Sequence, residues 1–226
     1  MTTTAAQREI RRTAIIVGAA VAMYGLAFGA MGIASGLTLA QTSLLSMLMF
    51  TGASQIAFVG VLGAGGAPIT ATTTAWLLGI RNAMYGIRLS TLLDVRGRRR
   101  ALAAHLTIDE STALAIANEA DDADARYGFY AGGISVWIQW NVATIIGALA
   151  ARAVGDPNVY GLDAATAAGL LGLVWPRLQD TEHRLVGLGA VAVALGLVLV
   201  APAGIPVIAS SVVAVVVALQ RHRRTA

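Results

Sequence analysis

The sequence predicts an all-α, polytopic integral membrane protein: a helical bundle of about six to seven spans, with broken or re-entrant helices in its N-terminal half. Only 12% of the 226 residues are charged and 57% are hydrophobic, whereas a soluble domain carries about 25% charged residues. Residues 13–80, 127–151 and 185–220 contain no Asp, Glu, Lys or Arg. Because one membrane-spanning helix needs about 20 mostly apolar residues, these runs hold several spans.

The whole chain, residues 1–226, is interpreted as one transmembrane domain. It divides into an N-terminal helical half (13–93), a polar connection with an amphipathic helix (94–130), a C-terminal helical half (131–219) and a basic tail (220–226). Arginines near span ends mark the cytoplasmic side of a membrane. We therefore expect residues 94–130 and the C-terminus in the cytoplasm.

Composition also argues against several classes of function. All basic residues are arginines at the edges of apolar runs, so the net charge of +4 indicates membrane orientation and not a nucleic-acid surface. The chain has no cysteine, and its three histidines are isolated. No metal or other cofactor is expected, and the apolar runs lack paired carboxylates for the acid–base chemistry of an enzyme.

Spans are predicted over 13–35, 68–93, 131–154, 185–201 and 207–219, with a short apolar segment at 162–175. Gly25 and Gly29 in the first span have the spacing that lets another helix approach closely. Residues 37–50 and 56–64 are each too short to cross. If both basic clusters flanking residues 13–93 are cytoplasmic, residues 37–64 must enter the membrane and return to the same face.

The break between those two short segments, residues 51–55, contains Gly52, Ser54 and Gln55. Non-helical backbone at membrane depth survives only where protein buries it or where it lines a cavity. Transporters use such breaks to present helix ends to a substrate. The alternative is that Ser54 and Gln55 hold helices together, at about 0.6 kcal/mol per hydrogen bond.

Two arginines in the 68–93 span also require an explanation. Arg88 lies near the end of the span, where its side chain can reach the headgroups. Arg81 lies about halfway along, so an ion pair or a contact with a substrate carboxylate is expected. If residues 101–119 form one helix, Asp109 falls on its buried stripe with Glu110 at the edge. Arg81 or Arg88 is then the candidate partner of Asp109, and a solvated acid is the alternative.

The 131–154 span begins with two tryptophans. Trp137 and Trp140 are predicted to anchor this span at the headgroup level. Asn141 lies deeper, on a face suited to line a path.

Five segments together resemble the AzlC family of branched-chain amino acid permeases. They are FTGASQIAFVGVL (50–62), RNAMYG (81–86), HLTIDESTALA (105–115), VWIQWNVATIIGALA (136–150) and YGLDAATAAGLLGLVWPRL (160–178). The resemblance implies a secondary transporter that exports valine, leucine or isoleucine across the bacterial cytoplasmic membrane, together with a small AzlD-type membrane subunit. A channel-like facilitator for small neutral or zwitterionic solutes is the alternative.

The predicted site combines this resemblance with the residues above. Expected substrate contacts are Ser54, Gln55, Arg81, Asn82 and Asn141. Expected proton-coupling or ion-pair residues are Asp109, Glu110 and Arg88.

Overall fold

A computed structural model describes residues 3–154, 171, 175–201 and 205–225. These residues contain nine α-helices, one short 3-10 helix and no strand, so the all-helical prediction is confirmed for them. The elements are α1 (Thr3–Ala34), α2 (Leu39–Leu48), α3 (Ala53–Gly63), α4 (Pro68–Leu93), α5 (Arg98–His105), α6 (Asp109–Ala117), α7 (Asp122–Val154), the 3-10 helix (Trp175–Gln179), α8 (Thr181–Val198) and α9 (Ile205–Thr225).

Three helices in the described ranges are long and apolar enough to cross a membrane: Ala5–Ala34, Asp122–Ala153 and Thr181–Val198. Helix α4 has 26 residues, but its two arginines and five threonines lower its hydropathy. The lengths of α2 and α3, 10 and 11 residues, agree with the prediction of two segments too short to cross. The apolar segment predicted at 162–175 is described only at residues 171 and 175.

Helices α1 and α7 form the closest helix pair. A Cβ atom on Gly29 would lie 2.0 Å from the carbonyl oxygen of Thr144, so only glycine permits this approach. Nearer the N-termini, the Ser135 hydroxyl donates to the carbonyl oxygen of Ala14 at 3.0 Å. Residue numbers rise together along both helices, so α1 and α7 run parallel and start on the same side of the bundle.

Helices α2 and α3 fold back towards the end of α1. Helix α2 starts just after Ser35, with Thr38 as its N-cap. The Ser35 hydroxyl donates to the carbonyl oxygen of Val59 at 2.8 Å, and a Cβ on Gly63 would lie 2.9 Å from the same hydroxyl. Both ends of the α2–α3 pair therefore lie beside Ser35, as a re-entrant segment requires.

The break in this pair lies slightly earlier than the sequence indicated. Helix α2 ends at Leu48 and α3 begins at Ala53, so Ser54 and Gln55 belong to the first turn of α3. Gly52 has φ of 28°, in the region that residues with a side chain rarely occupy. This glycine sets where the second helix starts.

The prediction of one amphipathic helix over 101–119 is wrong. Helix α5 ends at His105 and α6 begins at Asp109, with buried residues 106–108 between them. The Ser111 hydroxyl donates to the carbonyl oxygen of Leu106 at 2.6 Å and accepts from the backbone N–H of Ile108 at 3.1 Å. Because a side chain satisfies backbone groups that a continuous helix would have paired, the chain breaks here. Asp109 is thus the first residue of α6.

Candidate functional site

The two helix breaks face each other around a cavity of about 200 Å³. At its edge the rings of Phe50 and His105, one from each broken segment, lie 5.9 Å apart between centroids. The lining residues come from α1, the α2–α3 break, α4, the start of α6 and α7. They are Val21, Tyr24, Phe50, Thr51, Gly52, Ala53, Leu78, Arg81, Asn82, Ile108, Asp109, Glu110, Val136 and Trp140.

An ion pair forms one wall of this cavity. The Arg81 Nη1 atom lies 3.0 Å from the Asp109 Oδ2 atom. Of the two arginines that the sequence left open, the structure pairs Arg81 with Asp109. Arg88 instead forms an exposed pair with Glu119 and does not line the cavity.

Glu110 lies beside this ion pair and is half-buried. Removal of its carboxyl from water raises its pKa above the usual value of 4.5. Its own backbone N–H lowers that pKa, the neighbouring Asp109 raises it and Arg81 lowers it, all by smaller amounts than burial. A carboxyl in this environment holds its proton to a higher pH than an exposed one.

Side chains donate hydrogen bonds to the carbonyl groups at the C-terminal end of α2. The Gln55 Nε2 atom donates to the carbonyl oxygens of Leu45 at 3.1 Å and Ser46 at 3.2 Å. The Trp137 Nε1 atom donates to the carbonyl oxygen of Met47 at 3.4 Å. The carbonyl oxygen of Leu45 also accepts from the backbone N–H of Met49. Since the last carbonyls of a helix otherwise lack partners within it, these side-chain bonds stabilise the end of α2. They also remove three of its acceptors from competition for a cation.

The start of α3, in contrast, is left open. Its N-cap is Gly52, and no side chain accepts a hydrogen bond from its first turn as a cap. Gly52 and Ala53 both line the cavity. The first N–H groups of a helix lack helical partners and carry partial positive charge, so this end of the cavity favours an anion.

Four polar atoms of the cavity lining are buried and have no hydrogen-bond partner within the described part of the chain. They are the Nε atom of Arg81, the Oδ1 atom of Asn82, the Oγ1 atom of Thr51 and the Nε1 atom of Trp140. Most buried polar groups in proteins are hydrogen-bonded. Two N–H donors, one amide oxygen and one hydroxyl without partners around one cavity therefore indicate a place where a polar solute or water completes the bonding.

Three residues predicted to contact substrate do not line this cavity: Ser54, Gln55 and Asn141. All three are buried. The Asn141 Nδ2 atom donates to the carbonyl oxygen of Trp137 at 2.8 Å, and Gln55 bonds to the end of α2. Their contact with substrate stays a prediction, whereas the structure gives Gln55 and Asn141 bonds within the bundle.

Trp140 is the main residue of the lining that sequence reasoning missed. Its side chain is only 3% exposed, and its ring stacks on Phe28 with centroids 6.2 Å apart. The prediction that Trp140 anchors the helix at the headgroups is therefore wrong. The distance from charged residues was the available signal, because the nearest one, Arg152, lies about 18 Å along the helix from Trp140.

Comparison with known protein families gives a match to the part of the chain that forms this cavity. Residues 16–154 match the family model described as AzlC protein, and this segment contains both helix breaks and every residue of the cavity lining. No curated protein and no solved structure matches the chain. The AzlC family is associated with branched-chain amino acid transport. Since the match covers more than half of the sequence, the chain belongs to the AzlC family.

Proposed function

We propose that this chain carries branched-chain amino acids out of the cell across the bacterial cytoplasmic membrane, as a secondary transporter that works with a small AzlD-type membrane subunit. The observation that carries this proposal is the 200 Å³ cavity whose lining contains unpaired donors together with the carboxyl groups of Asp109 and Glu110. Pockets for drug-sized ligands occupy about 300–1,000 Å³, so this cavity suits a smaller solute.

The substrate carboxylate is assigned to the open start of α3. There it accepts hydrogen bonds from the backbone N–H groups at Gly52 and Ala53, in the manner of anions at helix N-termini. The unpaired Nε atom of Arg81 lies in the same lining and supplies a charged donor. Asn82, the next residue on α4, offers its amide.

The substrate ammonium is assigned to Glu110. Carbonyls at the end of α2 are poor candidates, because Gln55 and Trp137 already donate to three of them. Asp109 is also engaged, since its carboxylate pairs with Arg81. Glu110 is the remaining carboxyl of the lining, and a buried carboxylate favours a cationic partner.

The aliphatic side chain of the substrate is assigned to the apolar part of the lining. Val21, Leu78, Ile108 and Val136 supply it, with the rings of Phe50 and Trp140 at its edge. A small volume with such walls favours valine, leucine and isoleucine over aromatic or charged amino acids.

Export is coupled to protons through Glu110 in this proposal. Its raised pKa brings proton exchange closer to neutral pH, where acid–base groups operate best. Glu110 holds either a proton or the substrate ammonium, so uptake of a proton from outside releases the amino acid.

The test uses cells that lack this gene and the gene of the proposed AzlD-type subunit. Both genes are restored together or singly, the cells are loaded with dipeptides of valine, leucine, phenylalanine or glutamate, and amino acid efflux is measured. Faster efflux of valine and leucine only with both genes supports the proposal. Arg81→Gln should abolish this efflux, whereas Arg88→Gln, on the same helix, should not. Equal efflux of all four amino acids, or none above the deletion strain, would refute it.

A further inference from the structure

A second recess lies between the last turns of α4 and helix α5, away from the cavity described above. Its volume is about 650 Å³. Leu89, Leu93 and Ala103 form a buried floor, while Arg96 and Arg100 stand exposed at its polar end. Within the described residues neither arginine forms an ion pair.

The recess has a charged end and an apolar groove along α4, the α4 lane, which is lined by Ala83, Gly86 and Ile87. The turn that carries Arg96 follows directly on the last turn of α4, so this end lies at the edge of the apolar helix. Ala83, Gly86 and Ile87 continue the recess along α4 away from the arginines. The side chain of Ile87 is 67% exposed, as expected for a residue that faces lipid.

We propose that this recess binds an anionic phospholipid, with its phosphodiester headgroup on Arg96 and Arg100 and one acyl chain along the α4 lane. Guanidinium groups bind phosphate oxygens through paired N–H donors, and basic pockets beside membrane helices bind anionic headgroups. The Asp94 carboxylate shares the polar end and accepts hydrogen bonds from headgroup hydroxyls. Phosphatidylglycerol offers both the phosphate and such hydroxyls.

The arginine cluster contains its own matched control. Arg98 and Arg99 have the same charge and are also exposed, but they do not line the recess. Non-specific electrostatic attraction of anionic lipid depends on all four arginines of the 96–100 cluster, whereas a specific binding site depends on Arg96 and Arg100. The comparison of the two double variants separates these cases.

The experiment measures the thermal midpoint of the purified full-length protein in mild detergent, titrated with phosphatidylglycerol, phosphatidylcholine or inorganic phosphate. Phosphatidylglycerol should raise the midpoint of the wild type and of Arg98→Gln/Arg99→Gln. In Arg96→Gln/Arg100→Gln the half-saturating lipid concentration should rise about tenfold or more. Equal responses of the two double variants, or an equal effect of phosphatidylcholine, would overturn the proposal.

A variant in the lane tests the acyl chain without changing charge. Gly86 lines the recess and a Cβ atom on it meets no atom within 4 Å, so Gly86→Leu is the variant chosen to fill the lane. Its midpoint without lipid should match that of the wild type, and its response to phosphatidylglycerol should be lost. A full response in Gly86→Leu, or an equal response of the wild type to inorganic phosphate, would indicate a simple anion site and not a lipid site.

Discussion

Single residues decide what the cavity can bind. Arg81 and Asp109 compensate each other, so the charge that remains to attract a cation belongs to Glu110. Trp140 contributes an indole N–H that is buried and unpaired within the described chain, and an apolar ring at the same time. Glu110 and Trp140 can each be tested with a conservative replacement. Glutamine removes the charge of Glu110 and phenylalanine removes the indole N–H of Trp140, while most of the side-chain shape is kept.

Glu110→Gln should remove a pH dependence of stability. Burial raises the pKa of Glu110, so as pH rises above 4.5 the unfolded chain loses this proton first. Stability of the wild type then falls until the folded pKa is passed. The thermal midpoint of Glu110→Gln should therefore exceed that of the wild type by more at pH 8 than at pH 5. Glu119→Gln, in the exposed pair with Arg88, is the control, and an equal pH trend in both variants would contradict the assignment.

Trp140→Phe should weaken substrate binding and leave the fold intact. Phenylalanine retains an aromatic ring against Phe28 but lacks the indole N–H. One neutral hydrogen bond contributes about 0.5–1.5 kcal/mol, so the half-saturating valine concentration should rise about twofold to twelvefold. Trp76→Phe is the control, because Trp76 is 69% exposed and lies outside the cavity. Unchanged saturation in Trp140→Phe would exclude this residue from the site.

At the scale of elements, the bundle depends on two broken helix pairs packed against a parallel pair, α1 and α7. Each break has its own cause: Gly52 in the α2–α3 pair and the Ser111 hydroxyl in the α5–α6 pair. The breaks are held in place because side chains satisfy the backbone that they expose. Gln55 does this for α2, and Ser111 does it for residues 106–108.

The topology of the re-entrant pair has a direct test. Both ends of the α2–α3 segment lie beside Ser35, so reporter fusions at Gly36 and at residues 65–66 should report the same side of the membrane. A fusion at residue 95 should report the opposite side, because the 26-residue helix α4 is predicted to cross between them. Opposite reports from the first two fusions would mean that α2 and α3 together cross the membrane.

The contact between α1 and α7 should tolerate no side chain at Gly29. A Cβ there would lie 2.0 Å from a backbone carbonyl oxygen of α7, so Gly29→Ala forces the helices apart. Overpacking of this kind costs about 1–3 kcal/mol, and the thermal midpoint in detergent should fall accordingly. Gly86→Ala adds the same atom in open space and should not lower it. A stable Gly29→Ala protein would show that the helices separate without cost.

Sequence patterns predicted the elements better than the site. Hydropathy and turn residues located α4 at its observed bounds, and they identified α2 and α3 as short halves. They failed at residues 101–119, because one serine hydroxyl broke a segment whose apolar spacing suited a single helix. Cavity-lining residues such as Trp140 depend on how distant helices meet, which periodicity along one helix does not contain.

For the whole molecule, the cavity lies where α1, α4, α7 and the two helix breaks meet. The α1–α7 pair forms one side, and the two broken pairs with α4 form the other. Broken helices at such an interface suit alternating access, in which one set of helices moves against another around a fixed site. In such a mechanism, a bound solute crosses only after the two sides have moved against each other.

This arrangement predicts carrier kinetics and not those of a channel. Purified protein, with its small partner subunit, is reconstituted into proteoliposomes that are preloaded with unlabelled valine, and labelled valine is added outside. A carrier that moves unlabelled valine out returns with labelled valine bound, so the label inside should transiently exceed its external concentration. The initial rate should also saturate as the valine concentration rises. Trp76→Phe should behave like the wild type, whereas Arg81→Gln should show no accumulation. Rates that rise linearly with concentration and show no transient would mean that the cavity is a constriction in an open path, and the channel-like alternative would then replace the carrier.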